Sequence, residues 1–110
     1  MEPVIKIYDS FHELHKKKGY RGDKVEQFSA IILLGDKIEE HTGRLVDNGN
    51  AMTCDDIAKE LGEKKEKVAI LLTDLMSNDV IHSFDGAFYF NPRYIEMCYV
   101  PDEERVEVTK

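Results

Sequence analysis

Two helical segments separated by a single glycine constrain this chain more than any other feature. Apolar residues recur at helical spacing over residues 54–61, and Thr53 precedes them as an N-cap, with Asp56 at the third helical position. Gly62 ends this segment, and a longer apolar stripe at helical spacing predicts a second helix over about 64–78. Because so few residues join the two helices, they must pack directly against each other.

The segments on either side of this helix pair predict one more helix and a terminal hairpin. Apolar residues follow a roughly helical period over 25–41, and a short extended segment is predicted at 51–52. After the helix pair, two β-rich runs at 80–84 and 87–90 are joined by Asp85-Gly86. Asp-Gly between such runs predicts a tight type I′ turn, since both of its residues must adopt positive φ.

This order of elements is typical of a winged helix-turn-helix. The sequence therefore predicts an α+β fold that is mainly helical, with a C-terminal two-stranded β-hairpin as its wing. The helical periods also predict which residues form the core, namely Phe28, Ile31, Ile32, Ile57, Leu61, Val68, Leu72, Leu75 and Ile81.

The same residues resemble a known group of proteins. The chain is similar to winged-helix proteins of the bacterial plasmid and phage replication type, and more loosely to MarR-like regulators. The resemblance covers about residues 25–95. It rests on the frame Thr53, Ile57-Ala58, Leu61-Gly62, Val68, Leu72, Leu75 and Val80-Ile81, and on Tyr89-Phe90-Asn91-Pro92 with Tyr94-Ile95 behind it. In that group the second helix of the motif enters the DNA major groove and the wing contacts the backbone, so the resemblance implies sequence-specific DNA binding.

Three regions of the chain are expected from these patterns. Residues 1–24 form an N-terminal arm with a short strand at 4–8, a turn or two of helix over 11–18 and a basic loop. Residues 25–95 form the winged helix-turn-helix domain. Residues 96–110 form an acidic tail, and a final short helix is expected over 93–99.

Length, charge and cysteine content limit the classes of function. With 110 residues the chain fits one domain, and its net charge of −7 is unusual for a nucleic-acid-binding protein. Cys54 and Cys98 are far apart and are expected to be reduced thiols. The sequence has no apolar run long enough for a signal peptide or a membrane span, so we expect a cytoplasmic protein that does not associate with membranes.

No pattern in the chain indicates catalysis or a cofactor. It lacks a phosphate-binding glycine loop, a nucleophile elbow and an HExxH helix, so we expect neither an enzyme nor a bound cofactor. His12 and His15, with Glu13 between them, lack a convincing third ligand, and no metal is expected. Cys54 has no suitably placed base, and Arg21-Gly-Asp23 is interpreted as a chance match to a cell-adhesion tripeptide.

Double-stranded DNA is the first partner that the sequence predicts. The second helix of the motif would present its polar face to the major groove, and the basic loop before residue 25 would add phosphate contacts. The candidate DNA-binding residues are Lys64, Lys65, Glu66, Lys67, Ala69, Ile70 and Thr73 on the helix, and Lys16, Lys17, Lys18 and Arg21 in the loop. A symmetric homodimer is expected, because two half-sites multiply specificity. Its interface would use the first helix, the N-terminal arm or the 93–100 segment.

The charge of this surface supports a second interpretation. Glu63, Glu66 and Asp74 would repel a phosphate backbone, and the predicted wing over 82–89 contains no Lys or Arg. Exposed apolar residues at Ile70 and Phe84 would instead suit a protein partner. The alternative to DNA binding is therefore an acidic winged-helix module that binds protein through its wing and exposed helix face.

Overall fold

Four helices and six short strands make up the part of the chain that the structure describes. The structure is a computed structural model, and it describes the backbone of residues 2–100 and the side chains of residues 4–98. The elements are, in chain order, β1 (Glu2–Ile7), α1 (Asp9–Leu14), α2 (Lys24–Leu33), a 3-10 turn (Gly35–Lys37), β2 (Val46–Asp47), β3 (Asn50–Ala51), α3 (Cys54–Leu61), α4 (Lys65–Ser77), β4 (Ile81–Phe84), β5 (Ala87–Phe90) and β6 (Ile95–Val100). They form a mixed α+β domain with small antiparallel sheets, as the sequence predicts.

The helix pair α3–α4 has the predicted boundaries and caps. The Thr53 hydroxyl accepts a hydrogen bond from the Asp56 backbone at 3.2 Å, and the Asp56 carboxylate accepts one from the Thr53 backbone at 3.0 Å. This reciprocal pair holds the pKa of Asp56 below its usual value, mainly through the backbone hydrogen bond. Gly62 adopts φ +65°, and the next amide, of Glu63, donates to the Ala58 carbonyl at 3.0 Å. Helix α3 therefore ends at this glycine, and α4 begins three residues later at Lys65.

The predicted hairpin is present, and it gains a third strand-like segment. Asp85 and Gly86 both have positive φ, +49° and +77°, as a type I′ turn requires. On the other side of β5, the Leu45 amide donates to the Phe88 carbonyl, and the Phe90 amide donates to the Gly43 carbonyl, each at 2.8 Å. Residues 43–45 thus run beside β5 and attach the hairpin to the segment that precedes α3.

The predicted helix over 93–99 is wrong, because β6 occupies most of this segment. Strand β6 pairs antiparallel with β1, in a register that sets Ile7 opposite Ile95 and Val4 opposite Cys98. Ile95 and Met97 are buried, whereas the residues that follow each of them are half-exposed. This alternation has the period of a strand. Its partner strand lies at the other end of the chain, so local sequence could not reveal the pairing.

Helix α2 ends earlier than the predicted boundary near residue 41. It stops at Leu33, and the chain continues through the 3-10 turn into an extended Ile38, which bridges to Leu45. Gly35 lies in this turn and lets β1 pack closely against it, because a Cβ there would lie 1.8 Å from the Ile5 side chain of β1. The helix predicted over 11–18 is also shorter, ending at Leu14.

One predicted core residue is wrong and two are only partly buried. Ile32 is 47% exposed, because α2 turns Gln27, Ala30 and Ile31 toward the interior. Phe28 and Leu61 are half-buried at the edge of the core, and the other six predicted residues are buried. The core also includes residues from outside the predicted domain. These are Phe11 and Leu14 of α1 and Met97 of β6.

Leu72 and Ile70 provide a matched test of this core. Leu72 is 3% exposed, whereas Ile70, two positions earlier on α4, is 65% exposed. We expect Leu72→Ala to lower the free energy of unfolding by about 2–5 kcal/mol, because it removes buried methyl groups and leaves a cavity. Ile70→Ala should change it by less than about 0.5 kcal/mol. Urea unfolding of both variants measures the difference, and equal losses would contradict the orientation of α4.

Candidate nucleic-acid interface

The solvent-facing side of α4 carries all the candidate residues predicted for this helix. Val68, Leu71, Leu72 and Leu75 occupy the buried side, at the spacing of successive helical turns. The opposite side is exposed along the whole helix. We call this side the α4 surface. It consists of Lys64, Lys65, Glu66, Lys67, Ala69, Ile70 and Thr73.

Carboxylates of the same chain partly neutralise the lysines of the α4 surface. Lys65 Nζ lies 3.2 Å from Asp55 Oδ1, and Lys67 Nζ lies 3.4 Å from Glu63 Oε2 and 3.9 Å from Glu26 Oε1. Among the described residues, no carboxylate lies within 4.0 Å of Lys64. Exposed ion pairs contribute little to stability and rearrange easily. They do, however, lower the positive potential that this end of α4 presents.

The loop that contains Lys16, Lys17, Lys18 and Arg21 is fixed at the opposite end of α4. The Arg21 amide donates to Asn78 Oδ1 at 2.9 Å, and Asn78 Nδ2 donates back to the Arg21 carbonyl at 2.8 Å. Gln27 Nε2 donates to the same carbonyl at 2.7 Å. We call this set of hydrogen bonds the Arg21 clamp. Gln27 and Asn78 are 1% and 8% exposed, so the two amide side chains of the clamp are buried, whereas Arg21 itself is exposed.

Tyr20 extends the clamp toward the basic loop. Its hydroxyl donates to Gln27 Oε1 at 2.7 Å. Burial, followed by the negative charges of Asp23 and Asp74, raises the pKa of the Tyr20 hydroxyl. The hydroxyl therefore remains a hydrogen-bond donor across the neutral pH range. The loop is tied by side-chain hydrogen bonds to both α2 and the C-terminus of α4.

The lysines at the start of α4 and the cations of the basic loop are thus not brought together. Lys64 is the N-cap of α4 and Asn78 is its C-cap. A helix of 13 residues rises about 20 Å, at 1.5 Å per residue. A ligand that contacts both groups must therefore extend along the whole of α4.

The hairpin tip carries an exposed aromatic ring and lacks Lys and Arg. Phe84 is 71% exposed at the end of β4, directly before the Asp85-Gly86 turn. His82 is also exposed, and its Nε2 lies 3.3 Å from Asp79 Oδ1. No Lys or Arg occurs in residues 82–89. The tip therefore offers an aromatic ring and the Asp85 carboxylate, without a Lys or Arg.

The other residues singled out in the sequence have local structural contacts. His12 is half-buried, and its ring centroid lies 5.7 Å from those of Phe11 and Phe28. No cluster of three or more metal-ligating side chains occurs within the described part of the chain. Cys54 and Cys98 are free, half-buried thiols. None of the described helices has the length and apolar character needed to cross a membrane.

Sequence reasoning missed the residues that position the basic loop. Gln27 lies on the face of α2 that otherwise carries core residues, and a polar side chain there signals a buried hydrogen-bond partner. Asn78 directly follows α4, where a short amide can bond to nearby backbone. Either position could have been noticed, but neither reveals that Arg21 is the partner.

Comparison of the chain with protein-family models, with curated proteins and with solved structures gives no match in any of the three.

Asn78→Ala tests the clamp. The variant removes the hydrogen bonds of the buried Asn78 amide to the Arg21 backbone and to Gln27 Oε1, which costs about 1–3 kcal/mol. We expect a loss of unfolding free energy in that range and faster hydrogen exchange at the Arg21 amide. Asn50→Ala, at an exposed position of β3, is the control and should change stability by less than about 0.5 kcal/mol. Unchanged exchange at Arg21 would contradict the clamp.

Proposed function

We propose that this chain is a winged helix-turn-helix protein that binds double-stranded DNA, in transcriptional regulation or in replication initiation of a phage or plasmid. One observation carries the proposal. Helix α4 follows α3 after a tight glycine turn, has one side exposed along its whole length, and is followed by a hairpin that residues 43–45 extend. An exposed helix of this kind has the dimensions to enter a major groove.

In this proposal the N-terminal half of α4 enters the groove. Lys64, Lys65 and Lys67 contact phosphates, since they surround the helix start. Glu66, Ile70 and Thr73 follow one another on the same side of the helix and face base edges. A glutamate accepts a hydrogen bond from cytosine, and an aliphatic side chain packs against a thymine methyl group. Ala69 lies beside them. The basic loop supplies further phosphate contacts near the other end of α4.

The ion pairs of the α4 surface determine how such binding would depend on salt. Lys65 and Lys67 must exchange carboxylate partners for phosphates, so each gives less net attraction than an isolated lysine. Lys64, which has no such partner among the described residues, gains its full electrostatic attraction. Non-specific affinity should therefore be low, and discrimination between sequences should depend on base contacts.

Lys64→Ala tests whether Lys64 contacts a DNA phosphate. The control is Lys6→Ala, which removes an exposed lysine of β1 from another part of the surface. Each phosphate contact contributes about 0.9 to the slope of log affinity against log salt. We expect Lys64→Ala to reduce that slope by about one contact on all duplexes, and Lys6→Ala to leave it unchanged. Fluorescence anisotropy with a pool of duplexes of varied sequence measures both. Tight binding that is indifferent to Lys64, Lys65 and Lys67 would reject this surface.

A second function is a protein-interaction module, and the exposed apolar side chains favour it. Ile70 is 65% and Phe84 71% exposed, and the hairpin tip carries no cation. This function requires no measurable DNA affinity near physiological salt. It also requires that Ile70→Asp or Phe84→Ser abolishes binding of a protein partner while the fold survives. DNA binding with the salt slope described above would reject it.

We also propose that two copies associate as a symmetric homodimer in the cytoplasm, a compartment that suits two free thiols. The support is the outer side of α2, the helix that begins the predicted winged helix-turn-helix domain and the first candidate for the dimer interface. Val25, Ile32 and Leu33 are 73%, 47% and 54% exposed there, although they are apolar. Pairing two such sides would remove this apolar area from water.

Leu33→Asp tests the dimer. A buried charge at the interface is unfavourable, whereas the same charge on an exposed monomer position costs little. We expect light scattering after gel filtration to show a dimer for the unaltered chain and a monomer for Leu33→Asp, with circular dichroism unchanged. Glu40→Asp, at a half-buried position outside α2, is a control that should remain dimeric. A monomeric unaltered chain would contradict the proposal.

A further inference from the structure

A cleft of about 260 Å³ separates the basic loop from the C-terminal turn of α4. Its polar rim includes Lys17 and Lys18 on the loop side and Arg93, which lies between β5 and β6, on the other. Leu14, Tyr20 and Tyr94 supply apolar and aromatic surface inside it. The cleft thus joins three cations from distant parts of the sequence around a partly apolar interior.

The cations of this cleft differ from Lys65 and Lys67 of the α4 surface in having no carboxylate partners among the described residues. Within residues 4–98, no carboxylate lies within 4.0 Å of the charged groups of Lys17, Lys18 or Arg93. The acidic residue of the lining is Asp79. Its carboxylate already lies 3.3 Å from His82 Nε2 and accepts a hydrogen bond from Asn91 at 3.4 Å. In a chain of net charge −7, this cleft has an excess of positive charge.

Hydrogen bonds fix both sides of the cleft. On the loop side, the Arg21 clamp holds the backbone, and the Tyr20 amide donates to the Lys17 carbonyl at 3.2 Å. On the other side, the Arg93 amide donates to Asn91 Oδ1 at 3.0 Å, and its carbonyl accepts from Ser10 Oγ at 2.6 Å. The cations are therefore carried on backbone that is already ordered, which reduces the entropy lost when a ligand binds.

We propose that this cleft is a phosphate-binding site, in which Lys17, Lys18 and Arg93 form charge-assisted hydrogen bonds to phosphate oxygens. A guanidinium presents a fork of donors that matches two such oxygens, and the two ammonium groups neutralise the remaining charge. The volume admits a phosphate or pyrophosphate group together with a small organic part packed against the tyrosine rings. The phosphate belongs either to a free phosphorylated small molecule or to the backbone of a nucleic acid.

This inference shares Lys17 and Lys18 with the proposed DNA binding but adds Arg93 and a defined cleft, and it does not depend on that binding. The cleft adjoins the C-cap of α4, whereas the proposed base contacts and Lys64 lie on its exposed side and at its N-terminus. A chain that binds no DNA through the α4 surface can still bind a phosphate in the cleft. Conversely, DNA binding through the α4 surface alone leaves the cleft untouched.

The test uses the full chain and sodium pyrophosphate as the probe, at constant ionic strength, followed by amide chemical shifts. We expect saturable shifts confined to residues around the cleft. Arg93→Ala and Lys17→Ala should each weaken binding at least about tenfold, the loss expected for one charge-assisted hydrogen bond. Lys6→Ala is the matched control and should bind with unchanged affinity. A second titration with a DNA duplex follows the same resonances.

The two titrations together distinguish the sources of the phosphate. Shifts at the cleft with pyrophosphate but not with the duplex support a free phosphorylated ligand. Shifts with the duplex that compete with pyrophosphate and weaken in Arg93→Ala support nucleic-acid backbone. The proposal is overturned if neither probe causes saturable shifts at the cleft, or if Arg93→Ala and Lys17→Ala bind as well as Lys6→Ala. If Lys64→Ala loses duplex binding but keeps the pyrophosphate shifts at the cleft, the α4 surface binds DNA and the cleft binds phosphate independently of it.

Discussion

The packing of the apolar side of α4 against the core sets the arrangement of the other elements. Val68 and Leu72 face the interior with Ile57 of α3, Ile31 of α2 and Ile81 of β4, all in one cluster. Since one side of α4 is committed to this core, the other side must face solvent, and its residues are available for a ligand. The glycine turn before α4 and the hairpin after it then follow as connections to a helix whose orientation is already fixed.

The two ends of α4 differ in how far nearby carboxylates neutralise their cations. At the N-terminal end, Lys65 and Lys67 are close to carboxylates of α2, α3 and the turn between α3 and α4. At the C-terminal end, the basic loop is held by Gln27 and Asn78, and Lys17 and Lys18 have no carboxylate partner within the described residues. The sequence places three lysines at each end, but the tertiary structure leaves more uncompensated positive charge at the second. A charged ligand would therefore be attracted to the two ends differently.

The Arg21 clamp also shows how buried amides can fix the conformation of a surface loop. Gln27 and Asn78 cost desolvation energy wherever they are buried, and this cost is offset because their amides are hydrogen-bonded to the Arg21 backbone or to each other. An apolar pair of similar size would pack in the same space but would not specify the conformation of the loop. The clamp thus couples the core to a loop that carries four cations.

Elements that depend only on neighbouring residues could be predicted from the sequence. Thr53 and Asp56 cap α3, Gly62 ends it, and Asp85-Gly86 forms the hairpin turn, because caps and tight turns depend on neighbouring residues. The exposed side of α4 was equally predictable, since it is the complement of a helical apolar stripe. The remaining features depend on contacts between distant segments. Residues 95–100 form a strand because β1 lies beside them, Ile5 packs closely against Gly35, and Arg93 joins Lys17 and Lys18 only in the folded chain. Such contacts join residues far apart in sequence, and no local pattern encodes them.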